Sequence, residues 1–430
     1  MAPLPTTVLE TTPSSAQSYH SYLLPSGLRV VIYTDDNPVS YAGYFIGAGS
    51  ANDPLRFHGV AHFAEHMLFK GTKRRNARQI INRMEEVGAD FNAFTTKEDT
   101  FVYTAFPYAY FSRVLDMMTD VVCNSSCPEE ELLKEREVII EEINSYLDSP
   151  ADRIFDEYEN LLFHGTPLGH NILGTVQSVE RINSEAVRHY MRGAYIPQNM
   201  VFCYRGKPID NKHLFEFLQL HFPATPPQEP NPSSVISAKK NGYYPMPLKR
   251  EVSHRYKTYQ VHRIIGCHAY SMKDEGRIGL TLLNNILGGR GMNSRLNLAL
   301  REDEGLVYTV ESGFYPYRNA GFLSIYFGTT KEKLNRATQV VKKEMERLKT
   351  ERITDEALRT AKRQFLGQLT VQDDSRESCF LEMGKSFYYF GLYNTPEQVE
   401  QQIEKLTPAI LQQIACDTFR DEKLLVLTYY

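Results

Sequence analysis

The two halves of this 430-residue chain repeat one order of predicted elements, and that repetition limits the folds available to it. In each half, one or two strands lead into a helix, a second helix, a hairpin and two further helices. The offset between the halves is roughly 220 residues, as expected for a duplicated structural unit. A stretch rich in Pro, Ser and Asn separates them. We therefore predict an N-terminal domain over residues 1–222, a linker over 223–247 and a homologous C-terminal domain over 248–430.

The elements within each half predict the fold class. In the first half, two strands precede a helix that contains the sequence HFAEH, and the next helix ends at Gly88. A hairpin follows, and then helices over residues 114–122 and 129–147. This mixed order favours an α+β fold in which mostly antiparallel sheets carry helices on one face. The second half has LTLLNNILG where the first has HFAEH, so only one copy carries that motif.

Composition excludes some classes of protein. The chain is 42% hydrophobic, which is enough for two packed cores, and its net charge of -4 lacks the basic footprint of a nucleic-acid-binding protein. No apolar stretch approaches the roughly 20 residues that a membrane span needs. The N-terminal segment does not resemble a secretory signal or a transit peptide. The six cysteines form no CxxC pair, so we expect buried or free thiols, a cytoplasmic location, and neither nucleic acid nor membrane as a partner.

The HFAEH segment is a candidate metal-binding motif. On a helix, His62 and His66 are one turn apart and present two imidazoles to one point. Glu65 lies at the edge of the same face, where it can act as a general base on metal-bound water. The order H-x-x-E-H is the inverted form of the zincin motif. Two surface histidines that share a helix face by chance remain the alternative, because a catalytic zinc needs a third protein ligand.

A third ligand is available on the helix CPEEELLKEREVIIEEINSYL. Glu135 and Glu142 are two turns apart and share a stripe with Leu132 and Ile139. Carboxylates on an apolar stripe are costly to bury unless a cation or metal pairs with them. We therefore predict that Glu142 is the third ligand and that Glu135 orients a ligand or the water. The alternatives are that the stripe frays at Glu135, or that an arginine neutralises this carboxylate.

These segments resemble the inverted-zincin metallopeptidase family that includes pitrilysin, insulysin and the mitochondrial processing peptidase. HFAEHMLFKGT is similar to the family's HxxEH segment, and EREVIIEE to its downstream glutamate helix. GADFNAFTTKEDTFVY, LGHNILGT and LGGRGMNSRLNLALREDEGLVYTV resemble further family blocks. The resemblance covers essentially the whole chain. It implies a short two-domain member of the family with one zinc ion per chain.

The resemblance also implies a role for each matching residue. The implied zinc ligands are His62, His66 and Glu142, with Glu65 as the general base and Glu135 as a supporting residue. The implied substrate-binding residues are Asn92, Ala93 and Phe94, on an edge strand that pairs with the peptide backbone. Arg301 and Tyr308 are implied to stabilise the oxyanion from the second half of the chain. The alternatives are that Arg301 forms an ion pair with Glu304 and that Tyr308 is a core aromatic residue.

The expected function is therefore zinc-dependent endopeptidase activity on peptides or unfolded segments. In the family, four homologous units enclose a chamber, so a chain with two units is expected to form a homodimer, or a heterodimer with a related chain. A non-catalytic structural or assembly subunit of the same fold is the main alternative. A purely structural zinc site is a further alternative, although such sites usually have four protein ligands and no fourth ligand is evident.

Overall fold

The computed structural model describes residues 7–11, 19–224, 249–256 and 258–430. All but the first two residues of the predicted linker 223–247 therefore lie outside the described residues. Two compact units are formed, and neither is contiguous in sequence. The first unit comprises the described residues of Met1–Ile143, His170–Ile236 and Ser375–Tyr393. The second comprises those of Asn144–Gly169, Ser237–Asp374 and Asn394–Tyr430.

The described residues contain twelve strands and fifteen helices, apart from short 3-10 and π-helical turns. The strands are β1 (Thr7–Thr11), β2 (Tyr19–Leu23), β3 (Arg29–Thr34), β4 (Val39–Ile46), β5 (Asp90–Thr95), β6 (Thr100–Pro107), β7 (Met200–Gly206), β8 (Glu251–His254), β9 (Val261–His268), β10 (Val307–Pro316), β11 (Gly321–Thr329) and β12 (Leu425–Tyr429). The helices are α1 (Val60–Leu68), α2 (Ala77–Glu85), α3 (Phe111–Asn124), α4 (Glu129–Asp148), α5 (Pro150–Leu162), α6 (Val176–Glu180), α7 (Ser184–Ala194), α8 (Asn211–His221), α9 (Arg277–Gly288), α10 (Arg295–Asn297), α11 (Leu334–Thr350), α12 (Asp355–Asp373), α13 (Arg376–Phe390), α14 (Pro396–Glu404) and α15 (Pro408–Thr418). In the described part of the chain, no helix is long and apolar enough to cross a membrane.

Each unit is built on one sheet, and the two sheets share a strand order. The first sheet has the order β1-β2-β3-β7-β4-β6-β5, and the second has β10-β11-β9-β12-β8. Read from the opposite end, the second sheet repeats the last five strands of the first. In both sheets one pair is parallel, β3 with β7 and β8 with β12, and the other pairs are antiparallel. The predicted α+β fold of two mostly antiparallel sheets is confirmed.

The first sheet is buried on both faces, a feature that the prediction of helices on one face did not include. Along β3, Val30 and Ile32 belong to the core beneath α1 and α3, whereas Val31 points to the opposite side. Helix α13 covers that opposite side with Phe380 and neighbouring apolar residues. A strand with apolar residues on both faces is typical of a sheet that lies between two layers. The apolar run RVVIY is such a strand, and it explains why a segment from the far end of the chain packs here.

Candidate metal centre

Helix α1 is buried in the first unit and presents the two histidines in one direction. Phe63, Ala64 and Met67 are fully buried, which holds the helix against the core. The carboxylate of Asp53 accepts hydrogen bonds from the backbone N–H groups of Gly59 at 2.6 Å and of Ala61 at 3.0 Å. These bonds satisfy N–H groups at the start of the helix that have no intrahelical partner. The position of α1, and with it of the motif, is therefore set by both packing and capping.

Three ligand atoms converge at the end of these side chains. The Nε2 atoms of His62 and His66 lie 3.8 Å and 3.9 Å from Oε2 of Glu142 on α4, and the two ring centroids are 4.6 Å apart. These separations are too long for hydrogen bonds. Ligands placed about 2.1 Å from one tetrahedral ion would lie about 3.4 Å apart, so a small adjustment brings all three onto a zinc ion. Across the described ranges, this is the one group of three such side chains that could hold a metal.

The protonation of His62 also suits a metal ligand. The residue is 8% exposed, and burial lowers the pKa of His62 to about 3, with a further contribution from His66. A metal binds the neutral imidazole, so no proton has to be displaced from His62 near neutral pH.

Glu135 supports the second histidine. The residue is 7% exposed, which contradicts the alternative that the stripe frays at this residue. Oε2 of Glu135 lies 3.0 Å from Nδ1 of His66, and Oε1 lies 2.6 Å from Nζ of Lys70. The neutralising cation is thus a lysine and not an arginine. Because a carboxylate only accepts hydrogen bonds, Nδ1 of His66 carries a proton, and Nε2 is the ring nitrogen that faces Glu142.

Glu65 lies beside the ligands and is held by the edge strand. Oγ1 of Thr95, the last residue of β5, donates a hydrogen bond to Oε2 of Glu65 at 2.6 Å. Burial raises the pKa of Glu65, and this hydrogen bond partly opposes the shift. A carboxylate whose pKa is raised toward neutrality is a more effective general base. The arrangement therefore places a suitable base next to the three candidate ligands.

The three predicted substrate-binding residues lie on β5, at the end of the sheet. Ala93 packs toward the core beneath α1, whereas Asn92 and Phe94 alternate to the other face. The Phe94 ring stacks on Phe101 with centroids 6.1 Å apart. Since β5 pairs only with β6 in the described part of the sheet, its other edge offers backbone N–H and C=O groups.

Arg301 and Tyr308 belong to the second unit, whereas the metal group and its supporting residues belong to the first. Arg301 lies in a π-helical turn, with Nε 3.8 Å from the carboxylate of Glu302. Glu304 accepts two hydrogen bonds from Arg336 at 2.7 Å, so the predicted alternative of an Arg301–Glu304 ion pair is not found. Tyr308 is 61% exposed at the start of β10, so it is not a core residue. Their roles stay predictions.

Two residues of this site were missed from the sequence. Thr95 binds the candidate base, and Lys70 binds the supporting carboxylate. Lys70 is four residues, or one helical turn, after His66, and this spacing indicates that both side chains contact the same neighbouring residues. A lysine after the last turn of a helix is, however, more often solvated, and a threonine at the end of a strand has no distinctive pattern.

Comparison with known proteins agrees with the predicted family and fold. The family described as insulinase (peptidase family M16) matches residues 29–176, and the peptidase M16 inactive domain matches residues 181–365. The chain is 30% identical to "Uncharacterized zinc protease YmxG" of Bacillus subtilis, over 94% of this chain and 97% of that one. It is also 30% identical to an "Uncharacterized zinc protease" of Rickettsia bellii, over 93% of this chain and 94% of the relative. The chain therefore belongs to peptidase family M16.

Solved structures share the fold at lower sequence identity. A protease from Helicobacter pylori matches with a TM-score of 0.85 and 20% identity, covering 96% of this chain and 99% of its own. A protein from Pseudomonas fluorescens described as a peptidase M16 inactive domain matches with a TM-score of 0.82 and 20% identity, over 96% and 98% of the two chains.

Proposed function

We propose that the chain is a zinc-dependent endopeptidase with one zinc ion per chain. The observation that carries this proposal is the convergence of His62, His66 and Glu142 on one point, within 4.8 Å of one another. A set of two imidazoles and one carboxylate is typical of catalytic zinc, which keeps a fourth position open for water or substrate. Membership of peptidase family M16 and the names of the relatives support the same function.

The chain's own residues supply the proton transfers. A bound zinc ion would supply Lewis-acid polarisation of a water molecule and of the peptide carbonyl. Glu65 would take a proton from the attacking water and return it to the leaving amine. Thr95 holds the Glu65 carboxylate in place through the hydrogen bond from its Oγ1 to Oε2. Glu135 keeps the Nδ1 proton of His66 in place while Nε2 serves as a ligand.

The edge strand β5 would bind the substrate through its backbone. An extended peptide can add to an unpaired sheet edge, which fixes its main chain with little dependence on sequence. Asn92, Ala93 and Phe94 would supply the pairing groups. Because Thr95 ends this strand and binds Glu65, the same strand would hold both the peptide and the general base.

We further propose that two copies of the chain form the working enzyme. The family resemblance implies four homologous units around a chamber, and two copies of this chain supply four. Arg301 and Tyr308 would then contribute to oxyanion stabilisation. A chamber of limited size would admit peptides and unfolded segments but not folded proteins. Native mass measurement together with digestion of folded and unfolded forms of one protein tests this. A monomer that digests both forms equally would contradict it.

The test of the proposed activity is Glu65→Gln. The substitution keeps the shape of the side chain but removes its basicity, so zinc content should stay at one per chain while cleavage of a quenched peptide falls at least about a hundredfold. Glu137→Gln makes the same chemical change at an exposed position of α4 and should leave cleavage unaffected. Metal analysis and the peptide assay, with and without chelator, measure both quantities.

The outcomes separate the candidate functions. Wild-type protein that binds zinc but cleaves no peptide, alone or with a related chain, would indicate a non-catalytic subunit. Cleavage by Glu65→Gln at the wild-type rate would show that the base is assigned wrongly.

A further inference from the structure

We propose that Lys70 is a positioning residue for the metal centre. Its ammonium group holds Glu135, and Glu135 in turn holds His66 with Nε2 toward the metal. This inference rests on the proposed zinc site and adds a residue that does not itself touch the metal. It predicts that a change of charge at Lys70 alters zinc affinity through two intervening side chains.

The contacts form a continuous series. Lys70 Nζ lies 2.6 Å from Oε1 of Glu135, and Oε2 of the same carboxylate lies 3.0 Å from Nδ1 of His66. Each carboxylate oxygen therefore has one partner. At 7% exposure, Glu135 has little access to water that could replace either partner. A buried carboxylate that loses its cation is strongly disfavoured in its original position, so the contact with Lys70 should decide where this carboxylate lies.

The loop that carries Lys70 is itself fixed. Thr72 Oγ1 donates to Asp120 of α3 at 2.8 Å, and Arg75 forms an ion pair with the same carboxylate, which is fully buried. Ser125 Oγ donates to the backbone oxygen of Met67, at the end of α1, at 3.2 Å. These contacts tie the turn after α1 to α3, and the end of α1 to the residue that follows α3. Lys70 is thus presented from a rigid turn, as a positioning residue has to be.

The expected consequence of losing Lys70 is a less ordered His66. Without the cation, the Glu135 carboxylate can rotate away from Nδ1, and the imidazole can then place its proton on either nitrogen. An imidazole with its proton on Nε2 cannot bind the metal through that atom. Loss of such an outer partner of a metal ligand typically lowers metal affinity about 10- to 100-fold. A purely structural lysine would instead affect folding without a specific change at His66.

The experiment compares wild type with Lys70→Met, Lys70→Arg and the matched control Lys73→Met. Lys73 is in the same turn but exposed, so its loss changes the net charge equally without touching Glu135. Zinc dissociation constants are measured by competition with a chromophoric chelator. The tautomer of His66 is measured in the metal-free protein by NMR of 15N-labelled histidine. Thermal unfolding of each metal-free variant confirms that it is folded.

We expect Lys70→Met to raise the zinc dissociation constant at least about tenfold and to populate both His66 tautomers. Lys70→Arg should restore most of the affinity and the Nδ1–H tautomer, and Lys73→Met should match wild type. A wild-type dissociation constant in Lys70→Met, or an unchanged tautomer, would overturn the proposal. If wild-type protein bound no zinc, the proposed function would fail, yet the tautomer comparison would still decide the role of Lys70.

Discussion

The two units share a five-strand sheet order but differ in the first of the two α-helices that precede the hairpin at the edge of the sheet. In the first unit, α1 precedes the β5–β6 hairpin and carries His62 and His66. In the second, α9 precedes the β10–β11 hairpin. At the corresponding place in the sequence it has buried leucines, among them Leu280 and Leu283. Among the described residues, only the first unit has a group that could hold a metal. The same framework thus carries a candidate metal centre in one copy and buried apolar residues at the corresponding place in the other, so the fold alone does not specify the chemistry.

Of the substitutions that test the difference between the two units, removal of one candidate zinc ligand should have the largest effect. His62→Ala leaves two of the three ligands, and zinc affinity should fall at least about a thousandfold, because zinc sites are stabilised by roughly 10–16 kcal/mol over all their ligands. Peptide cleavage should fall to background. His213→Ala, which removes an exposed histidine of the same unit, should change neither quantity. Isothermal titration with zinc measures the affinity, and zinc binding by His62→Ala at wild-type strength would show that the metal lies elsewhere.

Much of this candidate site could be predicted from the sequence because its candidate ligands follow helical spacing. His62 and His66 share a face at four residues apart, and Glu135 and Glu142 share one at seven. A carboxylate on an apolar stripe indicated that a cation or metal pairs with it. For Glu135, the structure shows that Lys70 is such a cation. The identity of that cation was not predictable, since it depends on how the turn after α1 packs on α3 and not on the pattern of α4.

The packing of α5 and α13 could not be predicted for a similar reason. Each helix packs within the unit whose sheet comes mainly from the other half of the chain. Helix α13 contributes Phe380 to the outer face of the first sheet, and α5 contributes Tyr158 to the second. Helical periodicity identifies a buried face but not the surface that buries it. A division of the sequence at residue 222 therefore does not coincide with the compact units.

Truncation in α13 should destabilise the first unit selectively. Phe380 is fully buried against Phe101 and Tyr41, and Phe380→Ala should lower the free energy of unfolding by about 3 kcal/mol through lost burial and a cavity. Hydrogen exchange measured by mass spectrometry should show faster exchange in β4 and β6 but not in β9 and β11. Equal loss of protection in both sheets would indicate that the two units unfold together.

The pH dependence of stability tests the cost of burying a histidine, which α1 bears at His62 and α9 does not. Burial lowers the pKa of His62 to about 3 in the folded protein, below its ordinary value of 6.5. Below pH 6.5 the unfolded chain binds a proton at this residue that the folded chain does not, so the unfolding free energy falls as the pH falls toward about 3. A difference of one proton amounts to about 1.4 kcal/mol per pH unit, or about 2 kcal/mol between pH 6.5 and pH 5. Urea unfolding of the metal-free protein should show this loss in wild type and a correspondingly smaller one in His62→Gln, whereas equal losses would contradict the assignment.

The smallest expected effects on stability come from one tyrosine on each of the helices α13 and α5. Tyr389 on α13 donates a hydrogen bond to the buried Asp99 at 2.9 Å, whereas the buried hydroxyl of Tyr158 on α5 has no hydrogen-bond partner among the described residues. Removing a hydroxyl that satisfies a buried carboxylate costs about 1–2 kcal/mol, but removing a buried hydroxyl without a partner relieves a desolvation cost. Tyr389→Phe should therefore lower the unfolding free energy, and Tyr158→Phe should leave it unchanged or raise it by up to about 1 kcal/mol. Hydrogen exchange in each helix measures both, and a loss of stability in Tyr158→Phe equal to that in Tyr389→Phe would show that the two helices are held in the same way.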